Sequence, residues 1–233
     1  DLDRALAYYR AREVKFGEAE KHYKKALKMI DKVDSTLDLK HVYHEALKEI
    51  EKTEIDPNRE VLHVDLTGEI FLVNDEFSNQ NIERELGRMG VETRRSLTVG
   101  SFLKDAIIPK AFRPPETHLQ RAERMAKPYL MRDIGGDALE CVSDVVFADV
   151  HGKDGIIHIS PFTCMPEIMS QNIFPTMRSE HEIPILTLIM DEQTGKAGYI
   201  TRLEAFVDLM RRRKRKLAKE KSQSEKIAVE VEK

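Results

Sequence analysis

"EVLHVDLTGE" at 60–69, "SNQNIERELGRMG" at 78–90 and "VETRRSL" at 91–97 follow one another along the chain and set its class. The first is a short β-rich run ending in Gly68. The second reads as a helix with Ser78 or Asn79 as its cap and Gly90 as its stop. The third returns to a strand pattern. Strand, helix and strand in that order favour parallel strands joined by a right-handed crossover.

The pattern continues outward from this unit. "GIIHIS" at 155–160 and "IPILTLIM" at 183–190 are almost continuously apolar, as expected of strands covered on both faces. Between them "CMPEIMSQNIFPTMRS" predicts a helix. Further helical patterns fall at 99–108, 116–130 and 137–149, with Gly135-Gly136 marking the boundary before the last. In "TRLEAFVDLMRRRKR", Leu203, Phe206, Val207 and Met210 share one face. The alternation predicts a Rossmann-like α/β domain over 59–212, an open and mostly parallel sheet flanked by helices.

Residues 1–58 read differently. They hold one glycine, Gly17, and no proline before Pro57, and in "AEKHYKKALKMIDKV" the set Ala19, Tyr23, Ala26, Leu27, Ile30 and Val33 recurs at helical spacing. A second such helix is "LKHVYHEALKEIEK", closed by Asp56-Pro57-Asn58. Helices polar over most of their girth need a neighbour, so this segment is expected to be a helical arm packed on another domain or linking two. The tail 213–233 has low apolar content and is expected to be basic and disordered.

With 38 basic and 41 acidic residues in 233 the formal charge is −3, which does not advertise nucleic acid. The run "RRRKRK" at 211–216 is read as a solvated helix C-terminus, where cations complement the dipole. No apolar stretch approaches the roughly 20 residues of a membrane helix, so no membrane partner is expected. Two cysteines, Cys141 and Cys164, are too few for a disulfide framework and point to a reduced, cytoplasmic setting. The opening "DLDRALAYYR" has neither a methionine start nor a signal-peptide h-region and reads as an entry in mid-helix, so the chain is expected to be part of a longer one.

In an open parallel sheet, ligands gather beyond the carboxyl ends of the strands. After the first strand come Thr67, Gly68 and Glu69, with Asn74 close behind. After "GIIHIS" come Pro161, Phe162, Thr163, Cys164 and Glu167, and after "IPILTLIM" come Asp191, Glu192 and Thr194. Polar and reactive residues thus collect on one edge, and these are the candidate cavity-lining residues. Asp191 and Glu192 suit metal ligation, acid and base work, or ordinary turn and cap duty. Cys164 sits where a following helix would aim its amides at the sulfur, which serves a nucleophile or a metal ligand equally. Cys141 shares a helical face with Ala138, Val142 and Val145 and is read as core. His151, His158 and His181 are possible bases without a recognisable signature, and His158 is read as a satisfied strand residue. The closely spaced Cys/His pairs of a zinc motif are absent from the sequence, as are a P-loop and a dinucleotide fingerprint.

"LTGEIFLVNDEFSNQNIERELGRMGVETRRS", "GGDALECVSDVVFADVHGKDGIIHISPFTCMPEIMSQNI" and "PILTLIMDEQTGKAGYITRLEAFVDLM" together resemble the C-terminal half of the 2-hydroxyacyl-CoA dehydratase D-component-like family, in its acyl-CoA dehydratase activase-related (CoA-protein activase) branch. The resemblance covers most of 1–212. It implies two Rossmann-like domains with an iron–sulfur cluster, of the 4Fe-4S type, held between them by cysteines, in anaerobic metabolism. It further implies an ATP-hydrolysing activator protein as partner, an acyl-CoA as possible ligand, and an oligomer or multidomain complex. Carried over by position, Cys164 is the expected cluster ligand, and the other ligands are expected in an upstream domain outside this chain. A cubane cluster takes four thiolates. The function expected is low-potential electron transfer or radical dehydration of an acyl-CoA. The competing expectation is a non-catalytic docking module for the activator or another partner.

Overall fold

Among the described residues four strands, all parallel, form the sheet in the order β2-β1-β3-β4: β1 (Leu62–Gly68), β2 (Val91–Arg95), β3 (Gly155–Pro161) and β4 (Ile185–Met190). The computed structural model describes residues 2–35, 38–98, 100 and 116–231. Between β1 and β2 lie α4 (Ile70–Asn74) and α5 (Ile82–Arg88). Between β2 and β3 lie α6 (His118–Ala126) and α7 (Ala138–Val150), and α8 (Met165–His181) precedes β4. The chain then ends in α9 (Lys196–Val231). From β1 the chain winds one way to β2 and afterwards the other way to β3 and β4. The reversal therefore falls between β1 and β3, the position where doubly wound sheets open a crevice. The α/β Rossmann-like class and the helix–strand order read from the sequence are both found.

Alternation along the strands separates two cores. Leu62, Val64 and Leu66 of β1, Ile157 and Ile159 of β3, and Leu188 and Met190 of β4 face α4, α5 and α9, meeting Leu72, Ile82, Leu86, Leu203, Phe206 and Met210. The opposite face packs on α6, α7 and α8 through Ile156, Ile185, Leu139, Val142, Val145, Phe174 and Met177. This second face also carries Asp65, Thr67 and His158, all buried.

Several expectations are corrected. The cap of α5 is Asn81, in the left-handed region, rather than Ser78 or Asn79; Asn79 instead accepts from the Ile82 amide through Oδ1 at 3.2 Å. The pattern at 99–108 lies outside the described residues except for Gly100. The tail expected to be disordered continues α9 as far as Val231, because after Gly198 neither glycine nor proline interrupts a run of lysine, glutamate, alanine and leucine. Within it the basic run is no solvated helix end. Arg211 donates to the Met89 carbonyl at 2.5 Å, Lys214 reaches Val61 O at 3.0 Å and Asp154 at 3.1 Å, and Arg215 pairs with Glu60 at 3.2 Å. These bonds tie α9 to the loops at the amino edge of the sheet.

The arm comprises three helices, α1 (Leu2–Arg12), α2 (Glu18–Ile30) and α3 (Leu39–Glu51). The apolar stripe of α2 is covered largely within the arm: Ala26 and Ile50 are buried, and Tyr23, Ile30, Tyr43 and Leu47 pack around them with Leu2. The arm meets the α/β unit at α5 and β2, where Arg12 pairs with Glu92 at 2.6 Å and Arg59 donates to Glu13 O at 3.0 Å. Among the described residues no helix is long and apolar enough to cross a membrane.

Candidate functional site at the carboxyl edge of the sheet

Register brings the strand ends together. Gly68 of β1 pairs with Ile159 of β3, and Pro161 of β3 with Met190 of β4; beyond them the Glu69 amide donates to Ile159 O at 3.1 Å and the Phe162 amide to Met190 O at 3.0 Å. Gly68 has φ +132°, and a Cβ there would lie 1.9 Å from Ile159 O, so only glycine lets β1 close on β3 at this point.

Most of the polar residues expected on this edge are engaged in shaping it. Glu69 caps α4, accepting from the amides of Phe71 at 3.0 Å and Leu72 at 2.9 Å. Asn74 donates to Ile70 O at 2.7 Å and to Leu97 O at 3.2 Å, tying α4 to the segment after β2. Asp191 and Thr194 close their own turn, the Thr194 hydroxyl donating to Asp191 Oδ1 at 2.8 Å. The Thr194 carbonyl accepts from Gln80 at 2.9 Å, and Glu192 is exposed.

The turn after β3 is different. Pro161 ends the strand, Phe162 is 65% exposed and Thr163 takes φ +65°, an unusual conformation for a β-branched residue. This left-handed step places Cys164 as the N-cap of α8, half-buried, with its carbonyl receiving the Ile168 amide at 3.0 Å. Met165 beside it is 70% exposed. The first turn of α8 also abuts the loop before α7, where a Cβ on Gly136 would meet the Pro166 ring at 2.6 Å.

Beneath this turn lies a cluster that sequence reading did not assemble. Glu167, expected to line the cavity, is instead fully buried and hydrogen-bonded through Oε2 to Nε2 of His158. Cys141 of α7, expected as plain core, donates its thiol to the same Oε2 at 3.4 Å and receives the Thr67 hydroxyl at 3.5 Å. That hydroxyl also lies 2.6 Å from Asp144 Oδ2. Register sets Thr67 directly beside His158 on neighbouring strands, and the Phe174 ring stands edge-on to His158 at 5.0 Å. Donor atoms of Cys141, His158 and Glu167 all lie within 4.8 Å of one another. Two buried atoms of this group, Glu167 Oε1 and His158 Nδ1, have no hydrogen-bond partner among the described protein groups.

The electrostatics follow from burial. Desolvation pushes the Cys141 thiol well above its usual range, reinforced by the nearby Glu167, so this sulfur is no ready nucleophile. Asp144 is pushed up to about 7, mainly by desolvation, against the lowering effect of the Thr67 hydrogen bond. Asp137 and Glu140, at the start of α7, are also raised by burial, and Glu167 adds to both. Neither was flagged by the sequence. One signal was available: the alternate positions Asp65, Thr67 and His158 break the apolar runs of two strands on one and the same face.

Compared with known proteins, the chain matches no family model and no curated protein.

Proposed function

We propose that this chain is the Rossmann-like portion of an iron–sulfur protein related to the 2-hydroxyacyl-CoA dehydratase components. In this reading Cys164 is the thiolate it brings to a shared cluster. The observation that carries the reading is the place of Cys164. It is a half-buried thiol at the N-cap of a 17-residue helix, beyond β3 at the reversal of strand order, beside the exposed Phe162 and Met165. The donor set fits a partial site. The chain has two cysteines, one of them enclosed beneath the turn, so it can present one sulfur on this edge. The remaining thiolates of a four-thiolate cluster would come from outside these 233 residues.

A bound cluster supplies one-electron transfer at low potential. The residues of this chain hold the ligand. Thr163 turns the backbone to set Cys164 at the start of α8, and the apolar side chains around it exclude water once covered. An ATP-hydrolysing activator and an acyl-CoA are the partners proposed with this role. In the native protein isolated without oxygen, Cys164→Ser is expected to lose its iron and the broad visible absorbance of a cluster. Full iron content in that variant would remove Cys164 from the ligand set.

The same exposed rim favours one alternative, a non-catalytic docking module. Undiminished partner binding by Cys164→Ser protein that never carried iron would favour docking over the cluster.

A further inference from the structure

Three elements that are far apart in sequence converge beneath the carboxyl edge: Cys141 from α7, His158 from the middle of β3 and Glu167 from the first turn of α8. All three are completely enclosed. Their types, one thiol, one imidazole and one carboxylate, make a donor set that suits zinc better than the oxygen-preferring magnesium or calcium. We propose that Cys141 Sγ, His158 Nε2 and the carboxylate of Glu167 form a buried binding site for one Zn2+ ion, distinct from Cys164 and independent of the iron–sulfur reading.

Geometry supports the assignment. Donors from different residues around zinc stand about 3.2–3.8 Å apart, given bonds of about 2.0–2.3 Å, while the two oxygens of one carboxylate lie closer and share one corner of the coordination sphere. Cys141 Sγ and Glu167 Oε2 already lie 3.4 Å apart. His158 Nε2 and Glu167 Oε2 are in hydrogen-bond contact, so a rotation of the carboxylate opens that pair to ligand spacing. The orphaned Glu167 Oε1 is the second observation: a buried carboxylate oxygen without a donor is costly, and bidentate ligation gives it a partner. Binding releases the thiol proton of Cys141 to solvent, and His158 ligates as a neutral imidazole through Nε2 with its ring proton on Nδ1. The enclosure means that the ion is acquired as the chain folds. Its effect would be to fasten α7, β3 and α8 together three residues beyond Cys164.

The test uses the whole chain expressed in zinc-supplemented medium, freed of loose metal and assayed for bound zinc. About one zinc per chain is expected, falling below about a tenth in Cys141→Ser and Glu167→Gln, with Cys164→Ser unchanged. The Cys164 variant thus separates this site from the iron–sulfur proposal. Protein grown with Co2+ instead should show a thiolate-to-cobalt charge-transfer band, a readout on the unaltered chain that needs no variant to fold. Absence of zinc and of that band from the unaltered protein would overturn the site. So would full zinc retention in the Cys141 variant, or zinc loss in the Cys164 variant.

Discussion

The two faces of the sheet are built on opposite principles. Under α4, α5 and α9 the buried strand side chains are aliphatic or methionine apart from Thr93 of β2, and the helices answer with leucine, isoleucine, phenylalanine and methionine. Under α7 and α8 the inward positions of β1 and β3 include Asp65, Thr67 and His158, answered by Cys141, Asp144 and Glu167. Even Asp65 is wholly buried, held by Arg94, whose Nε donates to Oδ1 at 2.9 Å. The apolar face gains from each area removed from water, whereas the polar face must satisfy every atom it encloses. The first is suited to stability. The second fixes particular atoms beneath the edge where the half-buried Cys164 thiol stands.

The sharpest way to break this comparison is to truncate the apolar face. Leu66→Ala is expected to lower unfolding free energy by about 3 kcal/mol, through lost transfer energy and a residual cavity, measured by urea denaturation. A loss under about 1 kcal/mol would mean that this face is loosely packed.

On the polar face single and paired changes should diverge. Glu167→Ala in zinc-free protein strips His158 of its partner and is expected to cost about 2 kcal/mol. Replacing both His158 and Glu167 by leucine removes the buried polar pair together and should recover most of that loss, since apolar replacement of a buried pair is often neutral. If the double variant is as unstable as the single one, the pair does more than satisfy itself.

The polar face also predicts a pH dependence absent from the other. Burial raises the folded pKa of Asp144 from its ordinary 3.8 to about 7, so between those values the folded state binds the extra proton. Its contribution is therefore fully present below pH 4 and is lost as pH rises toward 7, at no more than about 1.4 kcal/mol per pH unit. Asp144→Asn should flatten this part of the stability profile between pH 4 and pH 7, seen as a smaller shift of the denaturation midpoint.

The smallest effect lies at the rim. Lys214 touches Val61 O and Asp154 from a partly exposed position, so Lys214→Ala should cost about 0.5 kcal/mol, and less in high salt. A loss of helix content beyond position 214 by circular dichroism would show that this tether holds the distal part of α9.

Periodicity carried the architecture. Gly68 closing β1, the helical run of α5 and the β-rich "VETRR" declare a crossover unit because each is a local preference, set by backbone freedom and side-chain spacing within a few residues. The place of Cys164 between a strand and a helix was legible for the same reason: a strand end, two prolines and a helix start are neighbours in the chain. The continuation of α9 was misjudged because low apolar content argued for disorder, while the cations of the 211–216 run found carbonyls and carboxylates at the far edge of the sheet.

Cys141, His158 and Glu167 mark the other limit. Each sits in a segment whose local pattern explains it: a helix face, a strand interior, a first helical turn. Sequence by itself determined which elements form, in what order, and which residues stand at the strand ends, because those are matters of local propensity and period. Only the tertiary structure decided that α7, β3 and α8 bring a thiol, an imidazole and a carboxylate within 4.8 Å, because their contact depends on register across the sheet and on helix docking, which no spacing along the chain encodes.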